Sequence, residues 1–227
     1  MCTPPVRRGR TRDRSGSKAT RRESSPRRRQ SERRAEAQQR LLRAAVDCLA
    51  ERGYARTSTV EVVRRARVSR GALLHYYQSK SELLLAALSH LFAARISEFQ
   101  ALMAEVEPGP TRLDAAIALL WEMFRGPSFA AWAELRVAAR TDPGLAESLP
   151  VLEQEFYAAC SEVFVETFPE ASGAHVGPER ILRLVFSILE GAALQSLLPG
   201  DDPVIAEEVI GLLRAGAHRM FSPVEVS

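Results

Sequence analysis

Residues suited to metal, redox or covalent chemistry are scarce in this chain. Its three cysteines lie far apart with no CxxC spacing, and its four histidines form no H-x-x-x-H or E-x-x-H pair. The sequence therefore predicts no metal site and no disulfide framework, as in a reducing cytosol. It also lacks the G-x-S-x-G, Walker and G-x-G-x-x-G motifs. We expect no cofactor and no enzymatic activity.

Strand signals and long apolar runs are missing as well. No sustained alternation of apolar and polar residues is bounded by turn dipeptides. The apolar segment 83–94 contains His90 and is well short of the ~20 residues that a membrane span needs. The N-terminus has no apolar signal-peptide region. These absences predict an all-α fold, no membrane partner and a cytoplasmic location.

Lysine is nearly absent, with Lys18 and Lys80 against 29 arginines. The formal charge is +10 over residues 1–34, +5 over residues 35–80 and −12 over residues 81–227. A basic N-terminal third attracts polyanions to one end of the molecule. Residues 1–34 hold too few apolar side chains to offset chain entropy, so we predict a disordered basic arm. The arm adds DNA phosphate contacts or reaches a minor groove; the alternatives are a solubilising tail or a misassigned start codon.

The segment 57–80 has the pattern of two short capped helices. Ser58 and Ser79 each precede a glutamate at capping-box spacing, and Ser69 is placed to cap a helix over residues 70–76. A helix from residue 35 to Gly53 precedes them. We predict that the apolar residues of this unit form the core of a small domain: Val60, Val62, Val63, Leu73 and Tyr77. Capped helices joined by about three residues are typical of a helix-turn-helix, which places its second helix in a DNA major groove.

The remaining chain shows about six helical segments separated by Pro- and Gly-rich breaks. The first runs from Lys80 to about Glu107, long enough at 1.5 Å per residue to link two domains. Proline clusters at 108–110, 127, 143, 169, 178 and 199–203 mark the later boundaries.

The helix-turn-helix and its surroundings resemble the tetracycline-repressor (TetR) family of bacterial transcription regulators. The resemblance covers about 45–50 residues of the 227, in the family's order and spacing. Its residues are Gly53-Tyr54, Thr57-Ser58-Thr59-Val60, Val62, Ala66, Val68-Ser69-Arg70-Gly71, Leu73, Tyr76-Tyr77, Ser79-Lys80 and Leu83. It implies an N-terminal three-helix DNA-binding domain at 35–95, with the motif at 58–77. A helical effector-binding and dimerisation domain follows at 96–227.

The resemblance also implies the residues that contact DNA. Arg70 is the strongest candidate for base readout, because a guanidinium can donate to guanine O6 and N7 together. The full predicted set is Thr57, Thr59, Ser69, Arg70, Gly71, Ala72, His75, Tyr76 and Lys80. Arg67 stands in the turn where the family commonly has Gly, which predicts strain at a position suited to φ > 0. Ala72 and Leu74 replace common hydroxyl-bearing residues, so we expect fewer polar base contacts.

Aromatic residues of the C-terminal half lie on several different helices and could line a cavity for an apolar effector. An ordinary core is the alternative for each of them. The predicted ligand-binding set is Phe99, Met103, Trp121, Phe124, Phe129, Trp132, Arg136, Phe156 and Tyr157.

The last two helices have broad apolar arcs. By resemblance, two such helices from each subunit form a four-helix dimer interface. The predicted interface residues are Ile181, Leu184, Val185, Ile188, Leu189, Ala192, Val209, Leu212 and Leu213.

We therefore expect a ligand-responsive DNA-binding regulator, a repressor that binds a palindromic operator as a homodimer and is released by a small apolar effector. One alternative is a helical carrier of apolar ligands or a small enzyme without sequence-specific DNA binding. Another is an architectural DNA-binding protein that relies mainly on the arm.

Overall fold

The computed structural model describes residues 26–169, 177–197 and 203–221. Those ranges contain nine α-helices and no strand, which confirms the predicted all-α class. The helices are α1 (Pro26–Arg56), α2 (Thr59–Ala66), α3 (Arg70–Tyr76), α4 (Lys80–Ala104), α5 (Arg112–Phe124), α6 (Pro127–Ala138), α7 (Pro143–Thr167), α8 (Pro178–Gln195) and α9 (Pro203–Phe221). A candidate membrane-spanning helix is not found among the described residues.

Helix α1 begins nine residues earlier than predicted, at Pro26 instead of residue 35. Residues 26–34, which we expected to belong to a disordered arm, are therefore helical. The segment has no apolar face, so periodicity gave no signal there. Its Arg, Gln and Glu residues are nevertheless good helix formers, and proline is well tolerated in the first turn. The rest of the predicted arm, residues 1–25, lies outside the described residues.

Gly53 interrupts α1, as the sequence predicted for a helix end. Its φ of 73° and ψ of 171° are not helical, and one further turn follows before α2. A Cβ at this position would come within 2.8 Å of the Glu134 carboxylate. Glycine is thus required by the backbone conformation, whereas the flexible Glu134 side chain could move away from a Cβ.

One hydrophobic core extends through the described helices. Helix α1 packs on α4 and α6, and α4 also packs on α7. Leu83, Leu84 and Leu88 of α4 are almost fully buried in this core. A smaller cluster of Met103, Ala116 and Phe168 lies near the end of α4. Helix α4 therefore runs from the helix-turn-helix into the C-terminal bundle and is shared by both.

Candidate DNA-binding surface and ligand cavity

Three serine caps define the helix-turn-helix. The hydroxyls of Ser58, Ser69 and Ser79 accept hydrogen bonds from the backbone N–H three residues further on, at 3.3, 3.1 and 3.0 Å. Each cap satisfies an N–H that has no partner within its helix. The predicted starts of α2, α3 and α4 are confirmed.

The turn between α2 and α3 is built around Arg67. Its φ of 54° and ψ of 46° lie in the left-handed region, and among the described residues it is the one non-glycine with positive φ. Its backbone N–H donates to the carbonyls of Arg64 and Val63 and so closes the end of α2. The strain predicted from the missing glycine is present.

Arg67→Gly should therefore stabilise the protein by about 0.5–1 kcal/mol. A left-handed residue with a Cβ costs roughly 1–2 kcal/mol, of which the greater unfolded-state freedom of glycine offsets roughly 0.5–1 kcal/mol. Urea denaturation measures the change. Arg43→Gly, on the exposed side of α1, is the control and should destabilise by about 1 kcal/mol. A loss of stability in Arg67→Gly would contradict this account of the turn.

Buried side chains fix α2 and α3 on α1. Val62, Ala66, Leu73 and Tyr77 are buried, as the helical pattern predicted for three of them. The Arg40 Nε donates to the Ala66 carbonyl at 3.2 Å and ties the end of α2 to α1. Gln38 Nε2 donates to the Tyr77 hydroxyl, also at 3.2 Å, beyond the end of α3. The ends of α2 and α3 are thus each tied to α1 by a side-chain hydrogen bond.

Val60 does not belong to this core, contrary to the prediction. It is 65% exposed on α2. Leu74 of α3 is also exposed, on the helix that carries Arg70. Apolar side chains on such a surface can contact thymine methyl groups. The exposed Leu74 adds a possible base contact that the sequence-based set omitted.

The arginines of the motif differ in their partners. Arg64 donates twice to Glu61, at 2.7 and 3.0 Å, and Arg65 donates twice to Glu51, at 2.5 and 2.6 Å. Arg70 is exposed and engages no hydrogen bond or ion pair within the described part of the chain. Among these three side chains, Arg70 is the one whose donors remain available.

Lys80 lies at the start of α4, but its side chain turns toward α1. Its Nζ donates to the Tyr54 carbonyl at 2.5 Å and sits 3.7 Å from the centre of the Tyr54 ring. Burial lowers the pKa of Lys80, and the nearby Asp142 carboxylate partly opposes that shift. In this conformation Lys80 fastens α4 to the end of α1, a partner that the sequence did not indicate.

A polar junction joins the helix-turn-helix to α6 and α7. The Tyr54 hydroxyl donates to Asp142, and Ser81 Oγ donates to the same carboxylate at 3.3 Å. Asp142 also caps α7 by accepting from the Leu145 N–H at 3.1 Å. The bond from Tyr54 is the largest of the effects that lower the pKa of Asp142. A second contact runs from the Tyr54 N–H to Glu134 of α6 at 2.8 Å.

Asp142→Ala should lower the free energy of unfolding by about 2–3 kcal/mol. It removes a helix cap worth about 1 kcal/mol and leaves the part-buried Tyr54 hydroxyl without its acceptor. Because the pKa of Asp142 is lowered on folding, part of this stability is also lost as the pH falls through that lowered value. Urea denaturation at pH 7 measures the effect, and Asp142→Asn, which keeps a cap and an acceptor, should lose less. Equal stability of Asp142→Ala and wild type would rule out the junction as a stabilising contact.

The C-terminal bundle encloses a cavity of about 140 Å³. Its wall is almost entirely apolar and draws on α4 to α9. Phe92 stacks on Phe156 with ring centres 4.1 Å apart, and Phe124 meets Phe186 edge-on at 5.4 Å. The aromatic wall residues are Phe92, Phe99, Phe124, Phe129, Trp132, Phe156, Tyr157, Phe164, Phe168 and Phe186. Such an apolar, concave site suits an organic molecule better than an inorganic ion.

Polar side chains gather at one end of the cavity. Tyr157 donates its hydroxyl to Glu190 at 2.9 Å, and the indole Nε1 of Trp132 donates to Glu153 at 2.9 Å. Arg136 pairs with both carboxylates, at 3.4 Å to Glu153 and 3.3 Å to Glu190. Burial raises the pKa of Glu190 and also that of Tyr157.

The chain matches two domain families that follow one another along the sequence. Residues 41–87 match the family described as bacterial regulatory proteins of the tetR family, and residues 111–215 match the tetracyclin repressor-like C-terminal domain. An HTH-type transcriptional regulator of Mycobacterium tuberculosis is 34% identical over 186 residues, covering 79% of this chain and 92% of the relative. This chain belongs to the TetR family.

Solved structures show the same fold. A TetR-family regulator from a Rhodococcus species aligns with a TM-score of 0.64 and 20% identity over 83% of this chain and 100% of that chain. FadR of Bacillus subtilis, solved with stearoyl-CoA, aligns with a TM-score of 0.59 and 16% identity over 78% of this chain and 98% of that chain. The protein is thus a TetR-family transcriptional regulator, and this family consists of ligand-responsive DNA-binding proteins, not of enzymes.

In this TetR-family protein, the predicted DNA-binding residues fall into two groups. Six lie on α3 or cap it: Ser69, Arg70, Gly71 and His75 are exposed, and Ala72 and Tyr76 are partly exposed. Thr59, the first residue of α2, is also partly exposed. Thr57 instead is 2% exposed and donates its hydroxyl to the Gly53 carbonyl at 2.8 Å. Lys80 is partly exposed, and its Nζ donates to the Tyr54 carbonyl, so the donors of both side chains already have partners within the protein.

Six of the nine predicted ligand-binding residues line the cavity of this regulator. They are Phe99, Phe124, Phe129, Trp132, Phe156 and Tyr157. Met103 and Trp121 are buried in the core outside the cavity wall, and Arg136 holds the two carboxylates from the outer side. The sequence did not predict the positions of Glu153 and Glu190, because residue spacing along a helix does not show which glutamates lie at the cavity wall.

The residues predicted for the dimer interface also fall into two groups, one buried and one at least partly exposed. Five of the nine are buried inside the subunit and already have packing partners: Ile181, Val185, Leu189, Ala192 and Leu213. Leu184 and Leu212 are exposed, and Ile188 and Val209 are partly exposed. An interface between subunits can therefore use only the outer part of the predicted set, since the inner part belongs to the hydrophobic core of the subunit.

Proposed function

We propose that this protein is a repressor that binds a palindromic operator as a homodimer and leaves it when a small, largely apolar molecule enters the cavity. The exposed face of α3 supports the DNA-binding part of this proposal. Its cap, its buried Leu73 and the tie between Gln38 and Tyr77 hold the helix, while Arg70 keeps its donors available. A preorganised helix with an available guanidinium is what major-groove recognition needs.

The proposed dimer contact lies on the outer face of α8 and α9, which we call the α8–α9 face. It contains the exposed apolar residues Leu184, Leu194 and Leu212. Gly191 and Gly211 lie on the same two helices, and a Cβ at either would meet nothing within 4 Å. An apolar face with small residues permits close helix approach, and two-fold symmetry would double it into a four-helix contact.

The proposed switch depends on α4. Its first turn comes soon after α3, which is the proposed recognition helix. Its middle, from Leu91 to Phe99, lines the cavity. A ligand that displaces this part of α4 would also move the junction at Tyr54 and Asp142. The spacing of the two recognition helices would then no longer fit both half-sites. In this scheme residues 35–95 form the DNA-binding domain, residues 96–227 form the effector and dimer domain, and residues 1–34 add phosphate contacts.

Mobility shift and DNase footprinting on the DNA upstream of the protein's own gene test the proposal. We expect a protected region with two symmetric half-sites about one helical turn apart. Specific binding should survive competitor DNA. Protection without sequence preference would favour the architectural alternative, and the absence of any complex would favour a ligand carrier that does not bind DNA.

The apolar wall of the cavity and the stearoyl-CoA bound by FadR support an organic effector for this chain. Screening amphipathic molecules for release of the operator complex tests the effector separately from DNA binding.

The repressor role has its own test. If the protein is a repressor, deletion of its gene should raise the expression of the neighbouring gene.

A further inference from the structure

The polar end of the cavity contains two glutamates from different helices. Glu153 of α7 and Glu190 of α8 both line the wall, and their side chains are only 17% and 15% exposed. Carboxylates are costly to bury unless something compensates their charge. Their position in an otherwise apolar cavity therefore bears on which ligand the cavity accepts.

The hydrogen-bond donors at this end are already used. The Trp132 indole donates to Glu153, the Tyr157 hydroxyl donates to Glu190, and Arg136 is shared by both carboxylates. An ionised carboxylate has about four acceptor sites, and each of these carboxylates has two partners among the described residues. The hydrogen-bonding capacity that remains unused at these two side chains is therefore acceptor capacity. A ligand that brings donors can be satisfied there, whereas one that brings only acceptors cannot.

The charges favour the same kind of ligand. Arg136 alone is shared by the two carboxylates, is 48% exposed and does not line the cavity. Arg183 lies 4.9 Å from the centre of the Tyr157 ring and pairs with Glu179. The cation that does line the cavity, Arg95, donates to Glu98 and Ser128. The polar end of the cavity thus holds two carboxylates that share a single guanidinium.

Aromatic rings surround the same place. The centre of the Tyr157 ring is 6.0 Å from that of Phe156 and 5.6 Å from that of Phe186, and Trp132 also belongs to the wall. Aromatic faces attract cations, more strongly where water is excluded. They also accommodate an apolar ligand body. Carboxylate acceptors within an aromatic wall are complementary to a cationic, donor-bearing group.

We infer that the effector is an amphipathic amine, a molecule with an apolar body and a protonated nitrogen that donates hydrogen bonds to Glu153 and Glu190. This inference rests on the proposed function, because it names the ligand class of the same cavity. The apolar body lies among the phenylalanines of α4, α5 and α8, and the ammonium group lies between the two carboxylates. A positive charge there also favours the ionised form of Glu190, which burial disfavours.

Matched probes that differ only in the polar group test the ligand class. The probes are phenylbutylamine, phenylbutanol and phenylbutanoate, and a second set of decylamine, decanol and decanoate. Isothermal titration with the full chain at pH 7 gives their affinities. We expect each amine to bind at least about tenfold more tightly than its alcohol, as for one charge-assisted hydrogen bond, and each carboxylate to bind most weakly. A carboxylate or alcohol that binds most tightly, or no binding by either amine, overturns the inference.

Variants locate the binding group. Glu190→Gln and Glu153→Gln should each weaken amine binding about tenfold and change alcohol binding by less than about twofold, because only the charge is removed. Glu155→Gln is the matched control, since Glu155 is exposed on the same helix as Glu153 and does not line this cavity. Thermal melting confirms that the variants fold. Unchanged amine preference in Glu190→Gln and Glu153→Gln also overturns the inference.

The two proposals fail in different ways. If alcohols or carboxylates release the operator complex and amines do not, the ligand class is wrong while the ligand-responsive repressor stands. If amines bind in the calorimeter but no operator complex forms under any condition, the proposed function is wrong while the ligand class stands.

Discussion

Replacing Arg70 by Ala should weaken operator binding by at least about 30-fold while leaving the fold intact. Each lost bidentate contact with guanine costs roughly 1–3 kcal/mol, and a symmetric dimer loses two of them. The side chain is exposed and has no partner in the described part of the chain, so its removal should not affect stability. Fluorescence anisotropy with the footprinted operator measures the affinity. Selection from randomised half-sites should show relaxed preference at one position.

Arg125→Ala is the matched control for Arg70→Ala. Arg125 lies on the C-terminal bundle just after α5, is exposed and pairs with Glu122, so the substitution removes the same charge far from the motif. It should change operator affinity by less than about twofold once ionic strength is fixed. If the two variants lose affinity equally, the effect is one of net charge, and α3 is not the helix that reads the bases.

Leu212→Asp should convert the protein to a monomer and abolish tight operator binding. Leu212 is 75% exposed in the subunit, so an aspartate there is tolerated by the isolated fold. In a symmetric contact the change introduces two carboxylates into an apolar interface, each costing several kcal/mol. We expect the dimer dissociation constant to rise at least about 1,000-fold. Loss of the second half-site should lower apparent operator affinity at least about 100-fold.

Light scattering coupled to gel filtration measures the mass of the Leu212→Asp variant, and anisotropy measures its DNA binding. Val151→Asp is the control, because Val151 is also an exposed apolar residue but lies on α7, outside the α8–α9 face. It should remain dimeric. A Leu212→Asp variant with wild-type mass would show that the subunits associate through another surface.

Contacts between neighbours in the chain were predictable from the sequence. The serine caps of α2, α3 and α4 depend on a hydroxyl and an N–H three residues apart, and they are where the residue pattern predicted them. The positive φ of Arg67 follows in the same way from a tight turn that lacks glycine. Such features depend on a few adjacent dihedral angles, so no distant residue has to be known.

Helix existence was also predictable, although one boundary was not. Apolar spacing marks the buried side of a helix, and residues 30–36 of α1 are all exposed. Its start at Pro26 depends on helix propensity, which is a weaker signal than periodicity. The same spacing cannot tell which of two neighbouring apolar residues faces inward, and for that reason Val60 was wrongly assigned to the core.

Local residue spacing was enough to predict the all-α class, the capped helix-turn-helix, the strained turn at Arg67 and the family. It could not predict the partners of Lys80, the junction at Asp142 or the pair formed by Glu153 and Glu190. Tyr54 and Asp142 are 88 residues apart, and Arg136 and Glu190 are 54 apart. Packing of whole helices sets those distances, and it also divides the apolar arcs of α8 and α9 into an inner core and the α8–α9 face.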